Sequence, residues 1–488
     1  MSIRPGNCYL EIESIMRIAL IKVQDTAKSS TLTGGQYPLN IAYLAAACQQ
    51  QEHEVEIWDF VVEPFEQSYV AEKMKKFRPQ VVGLSCVTAA IDFGNKLAGW
   101  IKQIDENIVT IIGGVHVTVL PFETMRDYPL FDLGVVTEGE ETLPEILARL
   151  EENRGVVGIP GTIYREDGVV KMGPVRDFPD VNAIPFPNRK LVPMEWYEEK
   201  HVHRGVSRKT WNIFEVDSSR GCPFRCTFCN VEVTHGRRVR YRTPENVLAE
   251  IAEGVRDFGT NYVMFNDSTF TFKKSRVMEL VSGLPKLGID GYFVNGHVKT
   301  VNSEMLQHLA KTGCHKISFG VESGSQLVLD KIQKNATVEE IREAFRLAKS
   351  SGIPVVEGTF ILGADIHETA EDFAATERLM KELQADIIGL GIITPFPGTA
   401  QYDEMKSLGY LDGVPWESYQ IFSESPPPWR IINFSAEELV KQRNHIYKSY
   451  CWNFRYIFNR LRSIRRLSDL LYYAGMAKTF YKVVVRNT

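Results

Sequence analysis

Three cysteines in one short stretch constrain this chain more than any other feature. The stretch from Ser219 to Cys229 contains Cys222, Cys226 and Cys229 in the spacing C-x3-C-x2-C. Soft thiolates at tight spacing favour zinc or an iron–sulfur cluster. A structural zinc site usually takes two separated pairs of ligands, and the sequence has no second pair of this kind. Three clustered cysteines alone therefore leave open a 4Fe-4S cluster with one iron free of protein ligands, a zinc site or simple buried thiols.

Length and composition describe a globular protein of several domains. The chain has 488 residues, and at about 150 residues per domain this length indicates two to four domains. Hydrophobic residues make up 44% and charged residues 24% of the chain, which is enough for a sizeable core. The net charge of -5 gives no general attraction to nucleic acid, so we expect no nucleic-acid partner and any basic site must be local.

The remaining cysteines and the apolar runs indicate the compartment. Eight cysteines are present, and those outside the motif are scattered without disulfide-like spacing, which suits a reducing cytosol. The N-terminus lacks the apolar region of a secretory signal, and no uncharged run approaches the roughly 20 residues that span a bilayer. We expect a cytoplasmic protein with no transmembrane segment, soluble or at most peripheral to the membrane.

Two regions alternate strand-like and helix-like segments. In residues 15–145 this alternation predicts a doubly wound (Rossmann-like) parallel sheet, with ligands at the carboxyl ends of its strands. Residues 211–398 show six such repeats, which predict a partial (β/α)6 barrel. The chemistry of a barrel lies where its strands end. Thr243 and Pro244 have the residue types of a helix start between two of these strands.

The cysteine motif, with Arg220-Gly221 before it and Phe228 before its last cysteine, resembles the radical S-adenosylmethionine (SAM) superfamily. The resemblance implies that the three cysteines hold the cluster. Taken singly, Asp267 or Glu322 would more often be a cap or a salt-bridge partner, but both fall at predicted strand ends. Ala364 departs from the proline that is frequent in related sequences. The residues for which the resemblance implies contact with SAM are Phe228, Asp267, Glu322, Ser323, Gly363 and Thr394.

Segments of the N-terminal third, such as Tyr37–Ala45 and Glu138–Thr142, resemble the cobalamin-binding domain that precedes many radical SAM domains. Other cobalamin domains often place a cobalt-ligating histidine in the loop after the first strand. The loop from Gln24 to Ser30 has none, so the resemblance implies cobalt without a protein histidine. His116 is interpreted as a loop or nucleotide-tail contact, with a purely structural histidine as the alternative. The residues for which the resemblance implies contact with cobalamin are Gly34, Tyr37, Ser85, Thr88, Gly113, Gly114, His116, Glu138 and Gly139.

These features predict four regions. They are a cobalamin-binding domain at 1–150, an extended connector at 151–210, a radical SAM barrel at 211–400 and a mostly helical, substrate-facing region at 401–488. The resemblance implies methylation of an unactivated carbon of a natural product or lipid-like substrate, through a 5'-deoxyadenosyl radical and methylcobalamin. A cobalamin-dependent cyclase or ring-rearranging enzyme is the alternative, and a non-catalytic corrinoid-binding protein is a further one.

Two basic stretches bear on partners. Residues 237–242 contain four arginines, which we interpret either as a solvated face or as charges that neutralise the thiolates or the SAM carboxylate. From Asn453 onward, eight Lys or Arg stand against one acid, Asp469, among aromatic residues. This segment favours an anionic small-molecule or lipid-like substrate, with a docked C-terminal helix as the alternative. The resemblance also implies a reductant such as flavodoxin or ferredoxin.

Overall fold

The computed structural model describes residues 15–24, 36–198, 211–420, 426–453 and 456. The chain divides into two compact units. The first contains the residues up to Tyr197 together with the segments Asn230–Gly236 and Pro415–Tyr419, and the second contains the rest.

A seven-stranded sheet forms the first unit. Its order is β2-β1-β3-β4-β5-β6-β7, in which β1 to β5 are parallel and the last two strands are antiparallel. The strands are β1 (Arg17–Lys22), β2 (Glu54–Asp59), β3 (Val81–Ser85), β4 (Val109–Gly113), β5 (Leu133–Val135), β6 (Thr162–Glu166) and β7 (Val169–Met172). The predicted doubly wound sheet is confirmed, and the order reverses between β1 and β3, where such sheets bind ligands.

Helices cover both faces of this sheet. One apolar cluster contains Leu39 and Ile146, and the other contains Val70 and Leu97, so the two faces have separate cores. Strand β1 is buried on both faces, as expected for a central parallel strand. The helices are α1 (Leu39–Gln49), α2 (Gln67–Phe77), α3 (Ile91–Ile104), α4 (Val115–Val119), α5 (Pro121–Asp127), α6 (Thr142–Glu151), α7 (Glu195–Glu198) and α8 (Val231–His235).

The predicted connector is not extended throughout. Its hairpin β6–β7 pairs antiparallel with β5 and continues the first sheet, because Ile163 and Tyr164 supply buried side chains to the cores on its two faces. The first compact unit therefore extends past the predicted boundary at residue 150 to Tyr197.

The second unit contains a six-stranded parallel sheet of order β15-β14-β13-β12-β11-β8. A separate two-stranded ladder joins β9 to β10. The strands are β8 (Ile213–Val216), β9 (Ser219–Arg220), β10 (Arg240–Tyr241), β11 (Tyr262–Phe265), β12 (Gly291–Gly296), β13 (Cys314–Glu322), β14 (Val355–Leu362) and β15 (Ile387–Ile392). All six predicted repeats are present, and the sheet is open because β8 and β15 do not pair with each other.

Helices alternate with these strands. Thr243 caps the first of them by accepting a hydrogen bond from the Asn246 amide, and Pro244 occupies the first turn as expected. The helices are α9 (Pro244–Phe258), α10 (Lys274–Gly283), α11 (Ser303–Lys311), α12 (Gln326–Lys331), α13 (Val338–Ser350), α14 (Ala370–Leu383), α15 (Ala400–Ser407) and α16 (Ala436–Cys451). Among the described helices, none has both the length and the apolar character needed to cross a membrane.

Candidate functional site

The cysteine loop begins where β8 ends, and Asp267 holds it there. The amides of Ser218 and Ser219 donate to Asp267 Oδ1 at 2.7 and 2.6 Å, and the Ser218 hydroxyl donates to Oδ2 at 2.5 Å. Asp267 is only 1% exposed. Burial raises the pKa of Asp267, while Arg276 and these hydrogen bonds oppose that effect. This aspartate at the end of β11 therefore fixes the backbone that leads into the cysteines.

Two buried arginines hold the carbonyls of the same backbone. Arg276 donates to Ser218 O at 2.6 Å and to Arg242 O at 2.9 Å, and Arg242 donates to Asp217 O at 3.0 Å. Arg242 also pairs with Glu250, and both of these side chains are buried. Because Arg242 is buried, the interpretation of residues 237–242 as a solvated face is wrong for this residue, while neutralisation of the thiolates or the SAM carboxylate stays a prediction. The guanidinium group of Arg242 pairs with Glu250 and donates to the carbonyl of Asp217, which follows β8.

The far side of the loop contacts three other segments of the second unit. Phe224 stacks on His297 after β12, with ring centroids 3.7 Å apart. Thr227 donates its amide to Ile332 O at 3.1 Å and accepts from the Gln401 amide at 3.3 Å. Cys222 Sγ lies 3.6 Å from Thr269 Oγ1. The loop is thus held along its whole length by residues that follow different strands.

The three thiols share one neighbourhood. Cys222 and Cys226 are half-buried and Cys229 is exposed. Burial raises the pKa of Cys226 to about 11; Lys334 opposes the shift, and Glu322, Cys229 and Cys222 add to it. Among the described residues, no three His, Cys, Asp or Glu side chains are grouped to hold a single metal ion. A cubane takes each cysteine on a different iron, and the loop supplies three cysteines that could serve as such ligands.

The other predicted SAM residues lie near the cysteine loop's edge of the sheet. Glu322 ends β13 with a left-handed φ of 68° and pairs with Lys334 at 2.7 Å. Ser323 is fully buried, with its hydroxyl 3.2 Å from Thr376 Oγ1. Gly363 follows β14 with φ 77°, and the Thr394 hydroxyl donates to Gln420 O at 3.0 Å. Phe228 is half-buried within the loop. Contact of these residues and Asp267 with SAM stays a prediction.

In the first unit, the predicted cobalamin residues follow the parallel strands. Ser85 ends β3, and its hydroxyl accepts from Asn40 at 3.2 Å, while Thr88 is buried in the next turn. Gly114 has φ 98°, and a Cβ there would lie 2.6 Å from Cys86 O. A Cβ on Gly113 would meet nothing within 4 Å, so space is open above this residue. Gly34 lies outside the described residues.

Two predicted cobalamin residues have buried rings. Tyr37 packs edge-on against Tyr197, with centroids 5.4 Å apart, and His116 packs against Trp416 at 5.1 Å. Burial lowers the pKa of His116 to about 4, so its imidazole is neutral at physiological pH. Within the described parts of the chain, Tyr37 Oη and His116 Nδ1 are buried without a hydrogen-bond partner. Such atoms, beside an open glycine loop, fit a ligand whose rim carries amides.

Glu138 and Gly139 form the loop after β5. His235 in α8 lies with Nδ1 2.9 Å from Glu138 Oε1, and the carboxylate is buried. Thr137 adopts a left-handed φ of 64° and donates its amide to the Thr118 hydroxyl. The segment Asn230–Gly236, which belongs to the first unit, thus contacts a predicted cobalamin loop of the same unit.

Comparisons with known proteins match these two units separately. The B12 binding domain family matches residues 29–147, and the radical SAM superfamily matches residues 216–380. An uncharacterized methyltransferase of Pyrococcus horikoshii is 33% identical over 89% of this chain and 92% of its own length. The chain belongs to the cobalamin-binding radical SAM family.

Two further proteins, one compared by sequence and one by structure, are similar to this chain. An anaerobic magnesium-protoporphyrin IX monomethyl ester cyclase of Rubrivivax gelatinosus is 24% identical over 96% of this chain and 82% of its own length. The solved structure of the cobalamin-dependent SAM radical enzyme OxsB has a TM-score of 0.71 and 17% identity, over 96% of this chain and 71% of that one. The latter supports the fold alone. The protein is an enzyme whose cofactors are a 4Fe-4S cluster, SAM and cobalamin.

Sequence reasoning missed three buried charged residues of the second unit. Arg276 lies on α10, Lys334 lies between α12 and α13, and Glu368 lies before α14. Each is buried: Arg276 is 5%, Lys334 6% and Glu368 1% exposed. None belongs to a recognisable motif, so the only signal was a charge within a region that otherwise alternates strand and helix.

Proposed function

We propose that this enzyme methylates an unactivated carbon of a small-molecule, natural-product or lipid-like substrate. The observation that carries the proposal is that one chain contains both a fully anchored three-cysteine loop and a doubly wound cobalamin unit. The relative in Pyrococcus horikoshii, which matches both units, is named a methyltransferase. When bound, the cluster with SAM supplies a 5'-deoxyadenosyl radical, and the corrinoid supplies a methyl group.

The chain's own residues prepare this chemistry by holding the cofactors still. Asp267 and Arg276 fix the entry to the cysteine loop, and Thr227 fixes its middle. We propose that Glu322 and Thr394 contact SAM at the strand ends, because both lie where a barrel places its reactive groups. Precise placement of this kind matters because small displacements of reacting groups reduce rates strongly.

Labelled methionine tests the reaction. Cells that receive methyl-labelled methionine and express either the wild type or Cys226→Ala should differ in a compound that carries the label on carbon. Cys451→Ala, which alters a cysteine outside the loop, is the matched control and should behave as the wild type. A differing compound that has lost hydrogens or gained a ring without label would instead establish a cyclase, which the match to the Rubrivivax gelatinosus cyclase favours as the second candidate.

We further propose that cobalamin binds without a histidine on cobalt. The loop from Gln24 to Tyr37 has no histidine, although residues 25–35 lie outside the described residues. His116 is a poor candidate because its imidazole is buried against Trp416. The electron paramagnetic resonance spectrum of the cob(II)alamin form should lack nitrogen coupling from an imidazole. Such coupling in the wild type would contradict this proposal.

We also propose a reductant and a substrate class for this enzyme. We propose a one-electron donor of the flavodoxin or ferredoxin class, since SAM cleavage needs a low-potential electron. The basic segment after Asn453 supports an anionic substrate, and nearly all of it lies outside the described residues. Removal of the chain after Asn453 should raise the KM for such a substrate while cluster and corrinoid contents stay unchanged. Unchanged turnover and KM in the folded truncated protein would exclude a role for the segment.

A further inference from the structure

Lys334 is a buried cation to which neither the anchoring of the cysteine loop nor the proposed reaction assigns a role. It lies in the turn between α12 and α13, and its side chain is only 8% exposed. Its Nζ lies 2.7 Å from Glu322 Oε1 at the end of β13. Burial lowers the pKa of Lys334, but Glu322, Cys226 and Cys229 raise it by more, so the side chain stays charged.

The backbone around this ion pair is unusual at several points. Gln333 and Asn335, on either side of Lys334, have left-handed φ angles of 53° and 54°. Glu322 has a φ of 68°, next to a break in the pairing of β13 with β14. A Cβ at Gly320 would lie 2.4 Å from Glu322 Oε1 and 2.8 Å from Lys334 Nζ, so the pair occupies the space that a side chain there would need.

These features are difficult to explain by stability alone. Left-handed residues other than glycine cost about 1–3 kcal/mol each, and they concentrate at functional sites. A buried ion pair is also weak evidence for stability, because removing two charges from water offsets their attraction. The buried pair and its left-handed backbone are therefore weak evidence for a purely stabilising role.

The Lys334 turn is directly attached to the cysteine loop. Thr227, between the second and third cysteines, donates its amide to Ile332 O at 3.1 Å. His297 Nε2 lies 3.3 Å from Lys334 O, and Phe224 of the cysteine loop stacks on the same imidazole ring. The loop and the turn thus support each other, and the Lys334 charge opposes the rise in the pKa of Cys226 that burial causes.

We propose that Lys334 is a positioning residue with an electrostatic role, which orients Glu322 and stabilises the negative charge of the thiolate-held cluster, most of all in its reduced state. Reduction adds one electron from a donor of the flavodoxin or ferredoxin class, and no bond is made or broken in that step. A fixed positive charge nearby favours the more negative state, so it raises the reduction potential. This inference rests on the cluster and is independent of whether the enzyme methylates or cyclises.

Redox titration of the reconstituted full chain, followed by electron paramagnetic resonance in the absence of SAM, tests the proposal. Lys334→Met should keep its iron but have a lower midpoint potential than the wild type. Lys334→Arg should stay close to the wild type. Lys331→Met, which removes a more exposed lysine paired with Asp365 one turn earlier, is the control and should not shift the potential. Glu322→Gln should shift it in the opposite direction, because it removes a negative charge.

The other possible results of this experiment also support or overturn the electrostatic role of Lys334. Lys334→Met with full iron and an unchanged potential would overturn the electrostatic role, as would an equal shift in Lys331→Met. If Lys334→Met cannot hold iron, the arginine variant decides. Iron restored in Lys334→Arg would show that the positive charge is required and support the proposal. Loss of iron in both variants would indicate a packing role and overturn it.

Discussion

The two parallel sheets of this enzyme use their carboxyl ends in different ways. The edge of the first sheet is lined by glycines, small hydroxyls and neutral buried rings, as at Gly113, Thr88 and His116. The edge of the second contains buried charges, notably Asp267, Arg276 and Lys334. A large corrinoid needs an open, accommodating surface, whereas a cluster needs three thiols held in fixed positions. The two edges thus differ in the way that these two cofactors require, although both are the carboxyl ends of parallel sheets.

The strongest test of this division is the loss of one cluster ligand. Cys226→Ala should abolish iron–sulfur incorporation and SAM cleavage, because a cubane held by three cysteines cannot spare one of them. Corrinoid content should remain at the wild-type level, since the residues predicted to contact cobalamin lie in the other unit. Iron, cobalt and 5'-deoxyadenosine are measured on anaerobically purified protein. Iron at the wild-type level, or SAM cleavage that persists, would contradict the assignment.

The corresponding test of the first sheet is a pair of glycine variants. Gly114→Ala places a Cβ 2.6 Å from Cys86 O at a φ of 98°, which should destabilise the first unit by about 1–3 kcal/mol and reduce corrinoid content. The Cβ that Gly113→Ala adds would meet no atom within 4 Å, so this variant should have the stability of the wild type. If the corrinoid approaches Gly113 closely, this second variant should still bind it more weakly. Iron content should be preserved in both, and equal loss of iron and cobalt would contradict the separation of the two sites.

A third variant tests whether Asp267 anchors the cysteine loop. Asp267→Ala leaves the buried amides of Ser218 and Ser219 without their acceptor, at a cost of about 1–3 kcal/mol for each. We expect partial loss of iron and slower cluster reconstitution, with corrinoid content unchanged. Asp290→Ala, an exposed residue before β12, is the control. Normal iron content in Asp267→Ala would show that the loop is held without this aspartate.

The sequence predicted what is local and periodic. The cysteine spacing is contained in eight residues, and the alternation of strands and helices is repetitive, so both could be recognised without a structure. The contacts that hold the loop join residues far apart, such as Ser218 and Asp267, which are 49 positions apart. Tyr37 illustrates the same limit, because Tyr197, which packs against it, comes from a segment predicted as a connector. A left-handed backbone at a residue other than glycine, as at Gln333 with a φ of 53°, also leaves little trace in residue type.

A pH dependence of stability is expected from a carboxyl group at the charged edge, Glu368. It is 1% exposed, its Oε1 accepts from the Asp365 amide at 3.0 Å, and burial raises its pKa to about 8. Because the ordinary pKa is 4.5, the folded protein keeps a proton between these two values that the unfolded chain releases. The free energy of unfolding should therefore fall by about 1.4 kcal/mol per pH unit across this window and level off above it.

Glu368→Gln removes that titration. The variant should therefore gain most in melting temperature over the wild type near pH 8 and least near pH 5, as measured by scanning calorimetry on the full chain. Glu371→Gln, three residues later and largely exposed, is the control and should follow the wild type at both pH values. If Glu368→Gln and the wild type keep the same difference at both pH values, Glu368 is not held protonated in the fold. The charged edge of the second sheet would then depend on its ion pairs and hydrogen bonds, without a buried neutral acid among them.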